Sequence, residues 1–338
     1  MYASLRDIAR ALGLSTTTVS WVLSGKGKEY GISGPTIRRV EKCAKEMNYR
    51  PNLLARGLHE GKSNTLGLIV PSIGDQFYSS MVRFIELEAE KYGYALMVCS
   101  SENDLERENK MVDTLRAKQV DGLLMAPTKF SSEKVEQMIE DGFPFVLFDR
   151  YFPELNTNYV IIDNEVSSYK LVRHLLEKGY KKIAILTTNT HLYTMQLRYS
   201  GYLTAYEDLA LKPDKNLYVS VDQKDYENST NAKLDELFEE EPEVDAFFFS
   251  THVLATHFFR YGARNGISRK FGYASIHSEK IFDVLAPEMH VAQLPISTIG
   301  REAVRILLHE ISRAKIKDKL QDAPKQGVIL SCDLRFRD

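Results

Sequence analysis

The sequence predicts a two-part α/β protein: a small helical head followed by a large body of mostly parallel sheets covered by helices. Three observations carry this reading. From Thr65 onward, short apolar runs alternate with amphipathic stretches, the pattern of β-α-β units. Before Thr65, short segments repeat their apolar residues at helical spacing between serine and glycine punctuation. The charge also changes sign between the parts. Residues 1–62 hold 11 Lys/Arg against 5 Asp/Glu, while the rest of the 338-residue chain holds 33 against 41. A basic head on an acidic body points the head toward a polyanion, although a solvated basic face explains the charge equally well.

Composition narrows the classes. With 43% hydrophobic and 27% charged residues, the chain is an ordinary globular one, which excludes a disordered chain, a collagen and a coiled-coil rod. No apolar run reaches about 18 residues, so no membrane partner is expected. The start lacks a basic-then-apolar leader pattern. Cys43, Cys99 and Cys332 are odd in number and widely spaced, with no C-x-x-C. That fits a reducing cytoplasm and argues against a disulfide framework or a structural zinc site.

The elements follow in order. Ser4 can cap a first helix, with Asp7 as its capping-box partner; Leu5, Ile8, Ala9 and Leu12 face inward and Gly13 ends it. Ser15 can cap a second helix, from Thr16 to about Ser24. Two short helices around a glycine turn are the spacing of a helix-turn-helix. A glycine-rich loop leads to a third helix, about Pro35 to Met47, with Ile37, Val40, Ala44 and Met47 on its apolar face. Tyr49-Arg50-Pro51-Asn52 breaks that helix. Asn52 can cap a segment Leu53–Leu58 that is too short to be a stable helix alone. Residues 61–64 read as a linker. In the body, strands are expected at Leu66–Val70, Ala95–Cys99, Gly122–Ala126, Phe145–Phe148, Val160–Ile162, Ile183–Leu186 and Ala246–Phe249, separated by amphipathic helices. A body of this size exceeds one doubly wound unit, so two lobes are expected, with a ligand in the crevice beyond the strand ends.

On the second helix, Thr16 shares a face with Ser20, and Thr17 with Trp21. Hydroxyls on a recognition helix can reach base edges or phosphates in the major groove. An ordinary helical hairpin would have the same spacing.

Motifs along the whole chain carry a family resemblance. Leu5-Arg6-Asp7-Ile8-Ala9, Leu14-Ser15-Thr16-Thr17-Thr18-Val19-Ser20, Leu23-Ser24-Gly25 and Tyr49-Arg50-Pro51-Asn52 followed by Ala55-Arg56 and Leu58 resemble the headpiece of the lactose-repressor (LacI/GalR) family. Leu66-Gly67-Leu68-Ile69-Val70-Pro71, Val120-Asp121-Gly122, Phe148-Asp149-Arg150, Arg198-Tyr199-Ser200-Gly201-Tyr202 and Ile299-Gly300-Arg301-Glu302-Ala303 follow in family order.

The resemblance implies a helix-turn-helix headpiece of three helices at 1–49, a hinge and linker at 50–63, and a two-lobed periplasmic-binding-protein-like core at 64–338. Lobe one would be about 65–163 and 295–322, and lobe two about 164–291 and 323–338. It implies a transcriptional repressor that binds a pseudo-palindromic double-stranded DNA operator as a homodimer or a dimer of dimers. A small-molecule effector, a sugar or a derivative, would gate it as inducer or co-repressor. No extra heptad helix follows the core. In the head, the DNA contacts would be Ser4, Thr16, Thr17, Ser20 and Trp21, with Lys26 and Lys28 on phosphates. In the hinge they would be Asn52, Arg56 and Leu58. The hinge would become helical on the operator and push Leu58 into the minor groove, a wedge that kinks DNA. Gly57 makes that segment more dependent on DNA.

Trp21 stands where the family usually has an arginine that reads guanine. An indole has one donor and no fork, so Trp21 is left to stack on a sugar, to contact a thymine methyl or to fold back on the head.

In the core, Arg198 matches the family's effector-binding arginine, a fork suited to vicinal hydroxyls, a carboxylate or a phosphate. Asp149 matches a carboxylate at a strand end, with a salt bridge to Arg150 as its structural alternative. Phe77 and Tyr78 match an aromatic wall and are equally readable as core. Thr251-His252, after the strand ending at Ser250, and Ala274-Ser275, after the strand Phe271-Gly272-Tyr273, replace family residues that often bind sugar hydroxyls, so a different effector or a pocket that has lost one is expected, with His252 and Ser275 at the altered site. By itself His252 reads more readily as a surface histidine.

Two other classes compete. A solute-binding receptor would share the two lobes, but the basic head and the missing leader weigh against it. A doubly wound enzyme needs a catalytic constellation. No H-E-x-x-H, G-x-S-x-G, P-loop or dinucleotide fingerprint occurs, so no catalytic residue, metal or cofactor is expected.

Overall fold

The computed structural model describes residues 3–50, 62–128, 130–188, 192–267, 270–314 and 324–337. The chain divides into two compact units, Met1–Ser63 and Asn64–Asp338.

The head has three helices, α1 (Leu5–Leu12), α2 (Thr16–Leu23) and α3 (Gly34–Glu46). Each starts on a serine whose hydroxyl accepts an N–H of the first turn: Ser4 from Asp7, Ser15 from Thr18 and Ser33 from Thr36. At α1 the cap is reciprocal, because the Asp7 carboxylate accepts from the Ser4 N–H at 2.9 Å. Gly13, at φ 63°, turns the chain out of α1 in the left-handed conformation. Ile8, Ala9, Val19, Val22, Val40 and Ala44 form the core of the unit.

The body begins with β1 (Thr65–Val70), α4 (Gln76–Lys91), β2 (Ala95–Ser100), α5 (Leu105–Ala117), β3 (Gly122–Met125), α6 (Ser132–Glu140), β4 (Phe145–Phe148) and β5 (Tyr159–Ile162). It continues with α7 (Asn164–Glu177), β6 (Ile183–Thr188), α8 (Tyr193–Glu207), β7 (Tyr218–Val221), α9 (Tyr226–Glu240), β8 (Ala246–Phe249), α10 (His252–Asn265), β9 (Gly272–Ile276), α11 (Phe282–Leu285), β10 (His290–Gln293), α12 (Ile296–Ala314), β11 (Gly327–Leu330) and β12 (Asp333–Arg335). Two six-stranded sheets result, in the orders β11-β5-β4-β3-β1-β2 and β12-β10-β9-β8-β6-β7. All pairings are parallel except that of β12 with β10. Central strands such as β3, β4 and β8 are buried throughout, as parallel strands covered on both faces must be.

Each sheet defines a lobe, and the chain crosses between them more than once. After β5 it passes to the second lobe. It returns with α12, which packs on α4 and on the first sheet. The last two strands divide differently from the sequence expectation. Residues 323–338 were expected in lobe two, but β11 adds to the first sheet beside β5, in register Val328 with Val160, and only β12 joins the second. A run as short as Gly327–Leu330 carries no signal of which sheet edge it will meet. The two crossing points are tied together: Asp163 Oδ1 accepts from the Cys332 N–H at 3.3 Å and from the Ser167 hydroxyl at 2.5 Å, and the Asp163 N–H donates to Leu330 O at 3.0 Å.

Candidate functional site

Beyond the strand ends of the first sheet lie Asp75 and Asp149, and beyond those of the second Thr251 and His277. These loops converge on an open cleft with about 580 Å³ of free space, adjoining solvent included, lined also by Phe77, Tyr78, Arg150, Arg198, Gln223 and Tyr226. It lies where parallel sheets are expected to hold ligands, beyond the carboxyl ends of their strands.

Arg198 projects from α8 and is only 4% exposed. Its Nε donates to Asn164 Oδ1 at 2.8 Å, and its Nη1 to Ser250 O at 2.6 Å. A buried guanidinium loses hydration, so its pKa is held below the usual arginine value, although the Asp149 charge acts against this. With a weak contact from Nη1 to Met195 Sδ at 4.0 Å, three of five donors are used in fixing the fork.

Opposite stands Asp149, at φ 62° in the left-handed region. Its Oδ2 accepts from the Tyr78 hydroxyl at 2.6 Å and lies 3.8 Å from Arg150 Nε, so the alternative salt bridge exists alongside the cavity position. Burial pushes the Tyr78 hydroxyl pKa far up, which keeps it a donor. Arg150 is tied by Nη1 to Asn103 Oδ1 at 2.8 Å. Phe77 and Tyr78 are both buried, and both line the cavity: wall and core are the same surface here.

His252 overturns its surface reading. It is 6% exposed, because it is the first residue of α10 and faces the cavity. Its Nε2 lies 3.4 Å from Asp75 Oδ1 and 3.3 Å from Glu279 Oε1. Burial alone would lower its pKa; the two carboxylates reverse that and push it up to about 9. His277 goes the other way. Burial and the adjacent His252 bring it down to about 3, and it stays neutral. Its Nδ1 lies 2.9 Å from the Gln293 side-chain amide.

Ser275 is a second correction. Its side chain is fully buried, its hydroxyl 3.4 Å from Ile276 O, and it does not line the cavity. Strand β9 continues to Ile276, past the point where the sequence ends it, so Ile276 and His277 take the cavity position. His277, at φ 67°, mirrors Asp149 as a strand-end residue held in a left-handed turn. The sequence reading missed Asp75, Gln223, Tyr226, His277 and Glu279. Of these only Asp75 leaves a local trace, as the cap whose Oδ1 accepts from the Phe77 N–H at 2.7 Å.

In the head, Ser4, Thr16, Thr17, Lys26 and Lys28 are exposed, and Ser20 and Trp21 are half-buried. The Ser4 hydroxyl is engaged with Asp7. Trp21 folds onto the head, its ring stacked on Tyr30 at 4.1 Å with 9° between planes. Helix α2 carries no charged residue. Asn52, Arg56 and Leu58 lie outside the described residues.

Residues 63–326 match the family described as periplasmic binding proteins and sugar binding domain of LacI family, and residues 4–52 match the bacterial regulatory proteins of the lacI family. The chain belongs to the LacI family. Among its family relatives, the ribose operon repressor of Halalkalibacterium halodurans is 27% identical over 328 residues, covering 96% of both chains. The transcriptional repressor PurR of Haemophilus influenzae is 28% identical over 323 residues, covering 92% of this chain and 91% of its own. The Lac repressor dimer bound to operator and an anti-inducer shares the LacI-family fold at a TM-score of 0.82, with 20% identity over 100% of this chain and 98% of that one. A CelR–cellobiose complex matches at 0.71, with 22% identity over 99% of each. These relatives are transcriptional regulators, and among the described residues no helix is long and apolar enough to cross a membrane.

Proposed function

We propose that this LacI-family protein is a sequence-specific transcriptional repressor of the bacterial cytoplasm, without catalysis, that binds a pseudo-palindromic operator as a homodimer. A polyhydroxylated small molecule, a sugar or a derivative, gates it from the cavity between the sheets. The observation that carries the reading is the pairing of two units in one chain: a capped three-helix head with Thr16 and Thr17 exposed at the start of α2, and a core cavity with a fixed arginine fork facing a carboxylate. Relatives named for ribose and for an operator complex support the same division of labour.

Thr16 and Thr17 present hydroxyls to base edges. Lys26 and Lys28 neutralise phosphates, a sequence-independent contribution that salt weakens. Asn52, Arg56 and Leu58 form the hinge contacts. In the core, Arg198 and Asp149 bind hydroxyls from opposite sides, Phe77 and Tyr78 supply the apolar wall, and His252 lines the same cavity. A ligand that prefers one lobe arrangement biases the hinge through residues 50–63, which is coupling between two sites.

The test is selection of random duplexes by the full-length chain at about 150 mM salt, where non-specific binding is weak. An enriched inverted repeat, lost on deleting residues 1–62, is the expected result. Enrichment of no motif, with and without a panel of sugars and sugar phosphates, would overturn the reading.

A further inference from the structure

Asp75, His252 and Glu279 are far apart in sequence and lie on opposite sides of the cleft, Asp75 after β1 of the first sheet and the other two after β8 and β9 of the second. Their ligating atoms all lie within 4.8 Å of one another. We propose that these three side chains form a divalent-cation site of the zinc type that joins the two lobes and keeps one coordination position open to the cavity.

Geometry carries this first. The Nε2–O separations, 3.4 Å to Asp75 and 3.3 Å to Glu279, are long for charge-assisted hydrogen bonds, which run at about 2.7–2.9 Å. These two edges match those of a tetrahedron with metal–ligand bonds of about 2.0–2.1 Å, which are about 3.3–3.4 Å; the third edge, between the two carboxylate oxygens, is no more than 4.8 Å, so the carboxylates close toward each other around a bound ion. Donor chemistry agrees: one imidazole and two carboxylates, without a thiolate, suit a first-row divalent cation.

The carboxylate on the first lobe is already oriented. The Phe77 N–H holds Asp75 Oδ1 at 2.7 Å, the outer-shell support that metal ligands commonly have. Two helix N-termini, of α4 and α10, converge here and bring partial positive charge. Two full carboxylate charges outweigh them. Three protein ligands leave a fourth tetrahedral position, and Asp75 and His252 both line the cavity, so a bound ion meets a hydroxyl or carboxylate of whatever occupies it.

The test uses the full-length chain stripped with a chelator and titrated with Zn2+ by calorimetry and with Co2+ by visible absorption, in the absence of DNA and effector. Its failure therefore leaves the repressor reading untouched. One ion per chain is expected, with the strong visible band of tetrahedral cobalt. Losing even an outer-shell partner weakens metal sites by about 10–100-fold, so Asp75→Asn, His252→Gln and Glu279→Gln should each weaken binding by at least about ten-fold. Asn still caps α4, and metal-free melting curves check that each variant folds. Binding of no ion at millimolar concentration, or binding unchanged in the folded variants, would overturn the proposal.

Discussion

At the scale of single residues, the cavity is built by side chains whose partners are specific and local. Arg198 is the clearest. Its fork is fixed by Asn164 and Ser250, so a lysine, a point charge on a flexible stem, cannot replace it. Arg198→Lys should abolish the effector's influence on operator binding while leaving affinity in the absence of effector intact. A normal response in a gel-shift titration would remove Arg198 from the site. In the head, Thr17→Ala should weaken operator binding by about 1–3 kcal/mol, the worth of a good base contact. An unchanged affinity and an unchanged preference for the selected duplex over a scrambled one would sink that role. Arg198 and Asp149 were legible because each sits in a motif that survives in the sequence. His252 was not. Nothing in Thr251-His252-Val253 announces that the helix it opens faces a cleft, or that Asp75 and Glu279 wait across it.

At the scale of elements, capping and close approach do most of the local work. Ser15 accepts from the Thr18 N–H at 3.0 Å, and Ser15→Ala should cost the head about 1 kcal/mol. Trp21 is the chain's single tryptophan and stacks on Tyr30, so its fluorescence reports unfolding of the head separately from the core. The same probe reads a pH effect. Hydrogen bonds from Ser4 hold the Asp7 carboxyl below its ordinary value. A depressed carboxylate stabilises the fold above its unfolded pKa, about 3.9, and that contribution disappears as pH falls through the lower folded value. The head should therefore lose stability on acidification below about pH 4, and Asp7→Asn should flatten that loss. An unchanged pH profile would contradict it. In the second lobe, Gly201 lets α8 lie against the start of α7: a Cβ there would collide with Glu165 O and stand 2.8 Å from the Tyr169 nitrogen. Gly201→Ala should destabilise the core by about 1–3 kcal/mol in a denaturant titration, because backbone cannot give way as a side chain can. The helices α1 to α3 were legible from their serine caps and apolar spacing. β7 and β10 escaped notice. Each is four residues long, and neither Tyr218–Val221 nor His290–Gln293 is an unbroken apolar run.

At the scale of the whole molecule, the first sheet ends at β2, an edge strand with Met97 and Val98 exposed, next to exposed Leu87 and Tyr92 of the preceding helix and turn. An exposed apolar edge is a liability unless something covers it, and a second copy is the cover that the proposed homodimer supplies. Leu87→Asp with Met97→Asp should give a monomer in sedimentation and lose specific operator binding. A dimer of unchanged stability would move the interface elsewhere.

The sequence by itself determined the local grammar and the family. Helix caps, apolar periods and the alternation of strands with helices are short-range properties, and so they specify a helical head and a body of parallel sheets wherever the chain folds. Long-range pairing was decided only in the tertiary structure. That β11 joins the first sheet, that β9 runs on to Ile276 and puts His277 rather than Ser275 at the cavity, and that Asp75, His252 and Glu279 meet across the cleft all depend on which surfaces remain to be buried once the two sheets have formed. A side chain's exposure and its charged neighbours are properties of that packing, and no spacing along the chain encodes them.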